Sequence, residues 1–193
     1  MLRRRLGIVL ELIRNKSEYK ELLYGAVLSR SMFILEKVYG ISVGYRFNLS
    51  AWGVYSALLE KDMERAMYKH DVADKNMVKA KDGSCYYEYT TTEGTDWVLN
   101  KEKKFIQSHK RAMDDFYRHF AHLTLDELEL STTIIFYNCD DAYGRQPNAV
   151  DVIARKVNET RPKFSLEEIF AECTRLKKLG ILERPMEQLA CVS

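Results

Sequence analysis

Three prolines and nine glycines among 193 residues leave little material for long flexible linkers. No stretch long enough to span a bilayer is free of charge, so no membrane span is expected. Cys85, Cys139, Cys173 and Cys191 stand far apart, whereas a structural zinc site draws its ligands in close pairs. Reduced, free thiols are expected instead. Nor does one sign of charge dominate. The formal net charge is +2 and both halves of the chain are close to balanced. Nothing electrostatic compels nucleic-acid binding, and any DNA-binding face has to come from a local patch. No glycine-rich dinucleotide fingerprint, phosphate loop or nucleophile elbow occurs. With no such constellation, neither an enzyme nor a cofactor is expected.

What is present is the composition of an ordinary folded protein, 46% hydrophobic and 30% charged. The length suits one sizeable core or two small domains. At the N-terminus Arg3, Arg4 and Arg5 precede the apolar run Leu6 to Leu10. Glu11 and Arg14 interrupt that run and no small-residue cleavage site follows. The pattern predicts an amphipathic helix with a basic start, in a cytoplasmic protein.

Apolar spacing predicts a first helix over residues 2–14, with Leu6, Val9, Leu10 and Ile13 on one face. Tyr19 to Val27 reads as helix or part loop. Ser29 stands where a cap opens a helix from Arg30 to Tyr39, stopped by Gly40. Residues 41–49 alternate in period two and read as extended. Helical spacing resumes from Tyr55 to about His70. Met77 to Thr90 carries the clearest hairpin signal, because Asp82-Gly83 supplies the positive φ of a tight turn between strand-like runs. Beyond Thr92 helix is expected to about Phe120. Thr124-Leu125-Asp126-Glu127 and Ser165-Leu166-Glu167-Glu168 have capping-box spacing, each opening a helix. Ala149 to Asn158 forms a further helix, and Gly180 ends the last.

This order is that of a mainly α protein with a small β-hairpin, a winged helix-turn-helix over residues 1–99 with an added C-terminal helical region over 100–193. Three segments carry a more specific likeness: Leu28-Ser29-Arg30-Ser31-Met32-Phe33-Ile34-Leu35-Glu36-Lys37-Val38-Tyr39, Trp52-Gly53-Val54-Tyr55-Ser56, and Asp126-Glu127-Leu128-Glu129-Leu130-Ser131-Thr132-Thr133-Ile134. With them the chain resembles the uncharacterised prokaryotic YwgA-like proteins, which are similar in their N-terminal part to the antitoxin-associated Panacea domain. Where that family shows Gly-Pro-Tyr-Ser this chain has Gly53-Val54-Tyr55-Ser56, and Thr132 stands where the family has Ala. The resemblance implies a regulator of a defence or toxin–antitoxin module.

Candidate phosphate contacts are Arg3, Arg4 and Arg5, then Lys61, Arg65 and Lys69 on the presumed recognition helix, then Lys79 and Lys81 on the wing. Glu60, Asp62 and Glu64 interleave on the same helix, so a solvated mixed face is the competing interpretation. Arg155, Lys156, Arg161 and Lys163 form a second basic group. Asp115, His119 and His122 share a face of an unbroken helix and have ligand chemistry, although one helix rarely supplies a whole metal site. Asp140 and Asp141 read as loop. Tyr86, Tyr87 and Tyr89 either stack on bases or cover the sheet. The expected function is that of a DNA-binding regulator of winged-helix type, with double-stranded DNA as the partner; the alternative is a protein-interaction module that keeps the winged-helix shape without binding DNA, and a homodimer is expected through the helices after Glu93.

Overall fold

Leu6 to Leu10, Val27 to Leu35 and Leu128 to Ile135 are each buried without interruption. A helix that loses water on every side has no polar face, so it has to lie at the centre of the fold. In the computed structural model, which describes residues 2–19, 23–79, 83, 85–139 and 149–182, these runs belong to α1 (Leu2–Arg14), α2 (Gly25–Lys37) and α7 (Leu125–Asn138). Three of the hydroxyls inside them are satisfied within their own helix. Ser31 donates to the Val27 carbonyl at 2.8 Å, Ser131 to that of Glu127 at 2.8 Å, and Thr133 to that of Glu129 at 2.8 Å. One hydrophobic core runs from Leu6 to Leu182 and takes side chains from both sides of residue 100.

The protein is mainly helical, with two small antiparallel sheets among the described residues. The first pairs β1 (Asn48–Ser50) with β2 (Gly53–Tyr55) and inserts between α2 and α7. The helix α3 (Ala57–Tyr68) follows, capped by Ser56, whose Oγ accepts from the Leu59 N–H at 3.4 Å. The second sheet pairs β3 (Ala73–Lys79) with β4 (Cys85–Thr91), Lys79 opposite Cys85. Gly83 in the turn has φ +87°, while Asp82 lies outside the described residues. The expected hairpin is therefore present and begins four residues earlier than its sequence signal.

Several expectations need correction. Ser29 does not cap α2; the helix starts at Gly25 and Ser29 is buried within it. The extended run 41–49 forms a strand only from Asn48. The helix expected beyond Thr92 is broken into α4 (Thr95–Lys101), α5 (Lys103–Ser108) and α6 (Lys110–Phe116), with bends at Glu102 and His109. A π turn at Tyr117–Ala121 follows, and the Arg175 guanidinium donates to the His119 carbonyl at 3.1 Å beside it. A π turn takes more residues per revolution than an α-helix, so Asp115, His119 and His122 do not keep the common face that unbroken helix requires.

The C-terminal part is α8 (Val150–Thr160) and α9 (Leu166–Lys178), both packed on α7. Both capping boxes form as expected. At the second, Ser165 Oγ accepts from the Glu168 N–H at 3.2 Å, and Glu168 Oε2 accepts from the Ser165 N–H at 2.7 Å. The Ser165 N–H, and then its hydroxyl at 2.8 Å, both donate to the Glu168 carboxylate and hold it below its ordinary pKa. Ser165→Ala is expected to cost about 1 kcal/mol in denaturant unfolding. A depressed carboxylate stabilises the fold above its unfolded pKa, and that stabilisation fades as pH falls through the folded value. The difference between wild type and Ser165→Ala should therefore shrink in acid. An unchanged difference would show that the carboxylate takes no part in the cap.

Candidate binding surface

Helix α3 and the β3–β4 hairpin that follows it carry most of the basic candidates. On α3, Glu60, Lys61, Glu64 and Tyr68 are exposed, while Leu59, Asp62, Met63 and Ala66 face the core. Tyr89 on β4 is half-buried. Burial first, then the negative charges of Glu60 and Glu64, raise its phenol pKa above the ordinary value. Those two carboxylates thus lie beside the base of the hairpin. At 3.6 residues per turn, Lys61 and Arg65 fall on the other flank of the helix. Tyr89, where Glu60 and Glu64 are felt, is the residue paired with Lys75.

Asp62 holds that other flank. Its carboxylate is fully buried and accepts from Arg5 Nε at 2.6 Å. Tyr45 Oη donates to it at 3.4 Å, and Arg65 lies 3.7 Å away. Arg5 also covers the Tyr45 ring. Burial, and then the Asp62 charge, push the Tyr45 phenol far above its ordinary pKa, so it remains a neutral donor. Of the N-terminal arginines, Arg3 and Arg4 are exposed, and Arg4 lies over Phe105 at 5.3 Å. Arg5 is only 11% exposed and neutralised by a buried acid. Lys69 is exposed at the end of α3, Lys79 is exposed at the end of β3, and Lys81 lies outside the described residues.

The second basic group does not form one patch. Arg161 is buried with its Nε 3.1 Å from Glu129, and it also donates to the Ser50 carbonyl. Glu129 receives Arg30 at 2.9 Å and Lys163 at 3.2 Å as well. Burial alone would lower the Lys163 pKa, but Asp126 and Glu129 outweigh it and raise it. Arg30 also donates to the carbonyls of Trp52 and Leu125 at 3.0 and 3.2 Å. This network ties α2, the β1–β2 turn, α7 and the end of α8 together. It is structural, and of the four basic residues only Arg155 is exposed without a long-range ion pair among those described.

No family model matches the chain, and no curated protein is similar to it. The YwgA-like resemblance therefore rests on segments 28–39, 52–56 and 126–134 alone.

The hairpin presents more than lysines. Met77 is 66% exposed and Tyr87 56%, and they face each other across the strands. Lys75 Nζ sits 5.1 Å above the Tyr87 ring. Of the three tyrosines, Tyr86 stacks on Tyr24 and Tyr89 is half-buried, which leaves Tyr87 outward. Tyr68 on α3 is 78% exposed. Sequence spacing did not single out Met77 or Tyr68, because an isolated apolar residue in a strand or helix reads as core. The free cysteines Cys85, Cys139 and Cys173 are exposed, half-buried and buried respectively. Among the described residues no three His, Cys, Asp or Glu side chains gather as a metal site. No helix among them is long and apolar enough to cross a membrane.

Proposed function

We propose that this chain is a non-enzymatic regulator built on a winged-helix scaffold, and that it acts by binding a partner protein through α3 and the hairpin. In this assignment α3 occupies the reader position and β3–β4 the wing. The observation that carries it is the charge on α3. Two exposed carboxylates, Glu60 and Glu64, oppose Lys61 and Lys69, while Arg65 faces the buried Asp62. A helix that enters a major groove has to meet phosphates on both sides, and affinity scales with the number it neutralises. A near-neutral helix gains little there. Exposed aromatic and methionine side chains beside it suit a protein partner instead. The setting implied by the resemblance is a defence or toxin–antitoxin module.

DNA binding is the second hypothesis, favoured by Lys75 and Lys79 standing exposed on the wing. Two measurements separate the two. A photo-crosslinker at Tyr87 is expected to capture a defined protein in cells, whereas one at the exposed Arg111 on α6 captures none. Anisotropy titration with duplex DNA at low salt is expected to show no binding tighter than about 10⁻⁴ M. Tighter, salt-sensitive binding to DNA with no crosslink from Tyr87 would reverse the order.

A further inference from the structure

The hairpin is not symmetrical in what covers its edges. On β4 the Tyr89 N–H donates to the Leu23 carbonyl at 2.9 Å, so at this residue the backbone points away from β3. Residues opposite each other in an antiparallel pair share that orientation. Lys75, paired with Tyr89, thus directs its own N–H and C=O outward from the other edge, and so does Met77 two residues on. The Lys75 N–H is taken by the Asp74 carboxylate at 2.7 Å. Among the described residues no backbone group pairs with Met77 on that outer edge. β3 is therefore an open edge strand, exposed at Asp74 to Met77 and at Lys79.

The side chains beside this edge have a definite pattern. Lys75, Met77 and Lys79 alternate onto one face, putting an apolar residue between two cations spaced about 13 Å apart. A strand laid against β3 places alternate residues opposite these three. Charge complementarity then requires acidic, apolar, acidic at every second position, and the order is the same whichever way the strand runs. Like charges directly opposite are unfavourable, and opposite charges favourable. The geometry points to an occupant of this kind: an extended segment of the partner protein, with two acidic residues flanking an apolar one, added as a third strand on the outer edge of β3. Main-chain bonds to Met77 and Lys75 give the affinity, and the lysines select the sequence. Among the described residues the added strand meets no competing acceptor at Met77, and at Lys75 its carbonyl displaces the Asp74 carboxylate from the N–H. This inference rests on the protein-partner proposal and specifies the partner's chemistry.

The test uses two end-blocked, fluorescein-labelled peptides with the cores Glu-Thr-Val-Thr-Glu and Lys-Thr-Val-Thr-Lys, titrated into the full chain at low ionic strength. Wild type is expected to bind the acidic peptide at least about fivefold more tightly than the basic one. The Lys75→Glu/Lys79→Glu variant, substituted only at exposed positions, is expected to invert that preference. Amide exchange at Met77 should slow in the acidic complex. Equal affinities, absence of binding up to millimolar peptide, or a Met77 amide that exchanges as in the free protein would each overturn the inference. So would duplex DNA binding that the double variant abolishes while neither peptide binds. A crosslink from Tyr87 to a protein that shows no charge preference at β3 would leave the partner-binding proposal standing and remove this one.

Discussion

Glu129→Gln is expected to lower the unfolding free energy by about 3–5 kcal/mol, measured by denaturant unfolding with fluorescence and far-UV signals. The carboxylate is the common acceptor for Arg30, Arg161 and Lys163. Arg30 and Arg161 are almost wholly buried, so loss of the counter-charge leaves two guanidinium groups nearly cut off from water. Arg30 is already incompletely satisfied, since among the described residues its buried Nε has no hydrogen-bond partner. Gly53 shows how tightly the site is filled: with φ +104° any side chain there is strained, and its Cβ, 2.8 Å from the Arg30 guanidinium, would push that group out of place. Asp126 supplies the control. It binds the same Lys163 at 2.6 Å, but both side chains are largely exposed. Asp126→Asn should cost less than about 1 kcal/mol. If the two substitutions cost the same, burial is not what makes the network matter.

The contrast between these acids also explains how much of the molecule was legible in the sequence. Local devices were readable. Thr124 and Ser165 cap their helices by bonds spanning three residues, and Gly180 takes φ +68° just past α9, so short motifs contain all the needed information. Asp82-Gly83 marked the hairpin for the same reason. The β1–β2 turn escaped because it has no strong two-residue turn signal; Gly53 makes it by positive φ, and Arg30 clamps it from 22 residues away. Ser29 misled because Ser reads as a cap, whereas here α2 is buried on all sides and its polar residues bond within the fold. The candidate site suffered most. Arg5 finds Asp62 across 57 residues, and Arg161, beside Glu129, finds the Ser50 carbonyl across 111. No window of sequence contains both partners, so arginines already neutralised looked free.

Asp62→Asn is the substitution that joins stability to function, and it is expected to cost about 2–3 kcal/mol in the same unfolding measurement. The cost should fall short of that for Glu129, because Arg5 is 11% exposed and Arg65 42%, so both reach water when the charge is removed. What remains on the surface is more basic. Arg5 and Arg65 then stand beside Lys61 without their shared counter-ion, on the flank of α3 away from Glu60 and Glu64. Phosphates are held by uncompensated cations, and each further phosphate neutralised steepens the fall of log affinity with log salt by roughly 0.9. Below its melting temperature, the variant is expected to acquire weak, steeply salt-dependent affinity for duplex DNA that wild type lacks. The effect should be independent of base sequence, since nothing in the change adds a base-reading group. That outcome would identify the buried carboxylate as the element that keeps this face of α3 from DNA. A wild type that already binds duplex DNA as tightly as Asp62→Asn would show that α3 does not depend on its local charge, and the case against DNA built on Glu60, Asp62 and Glu64 would fail with it.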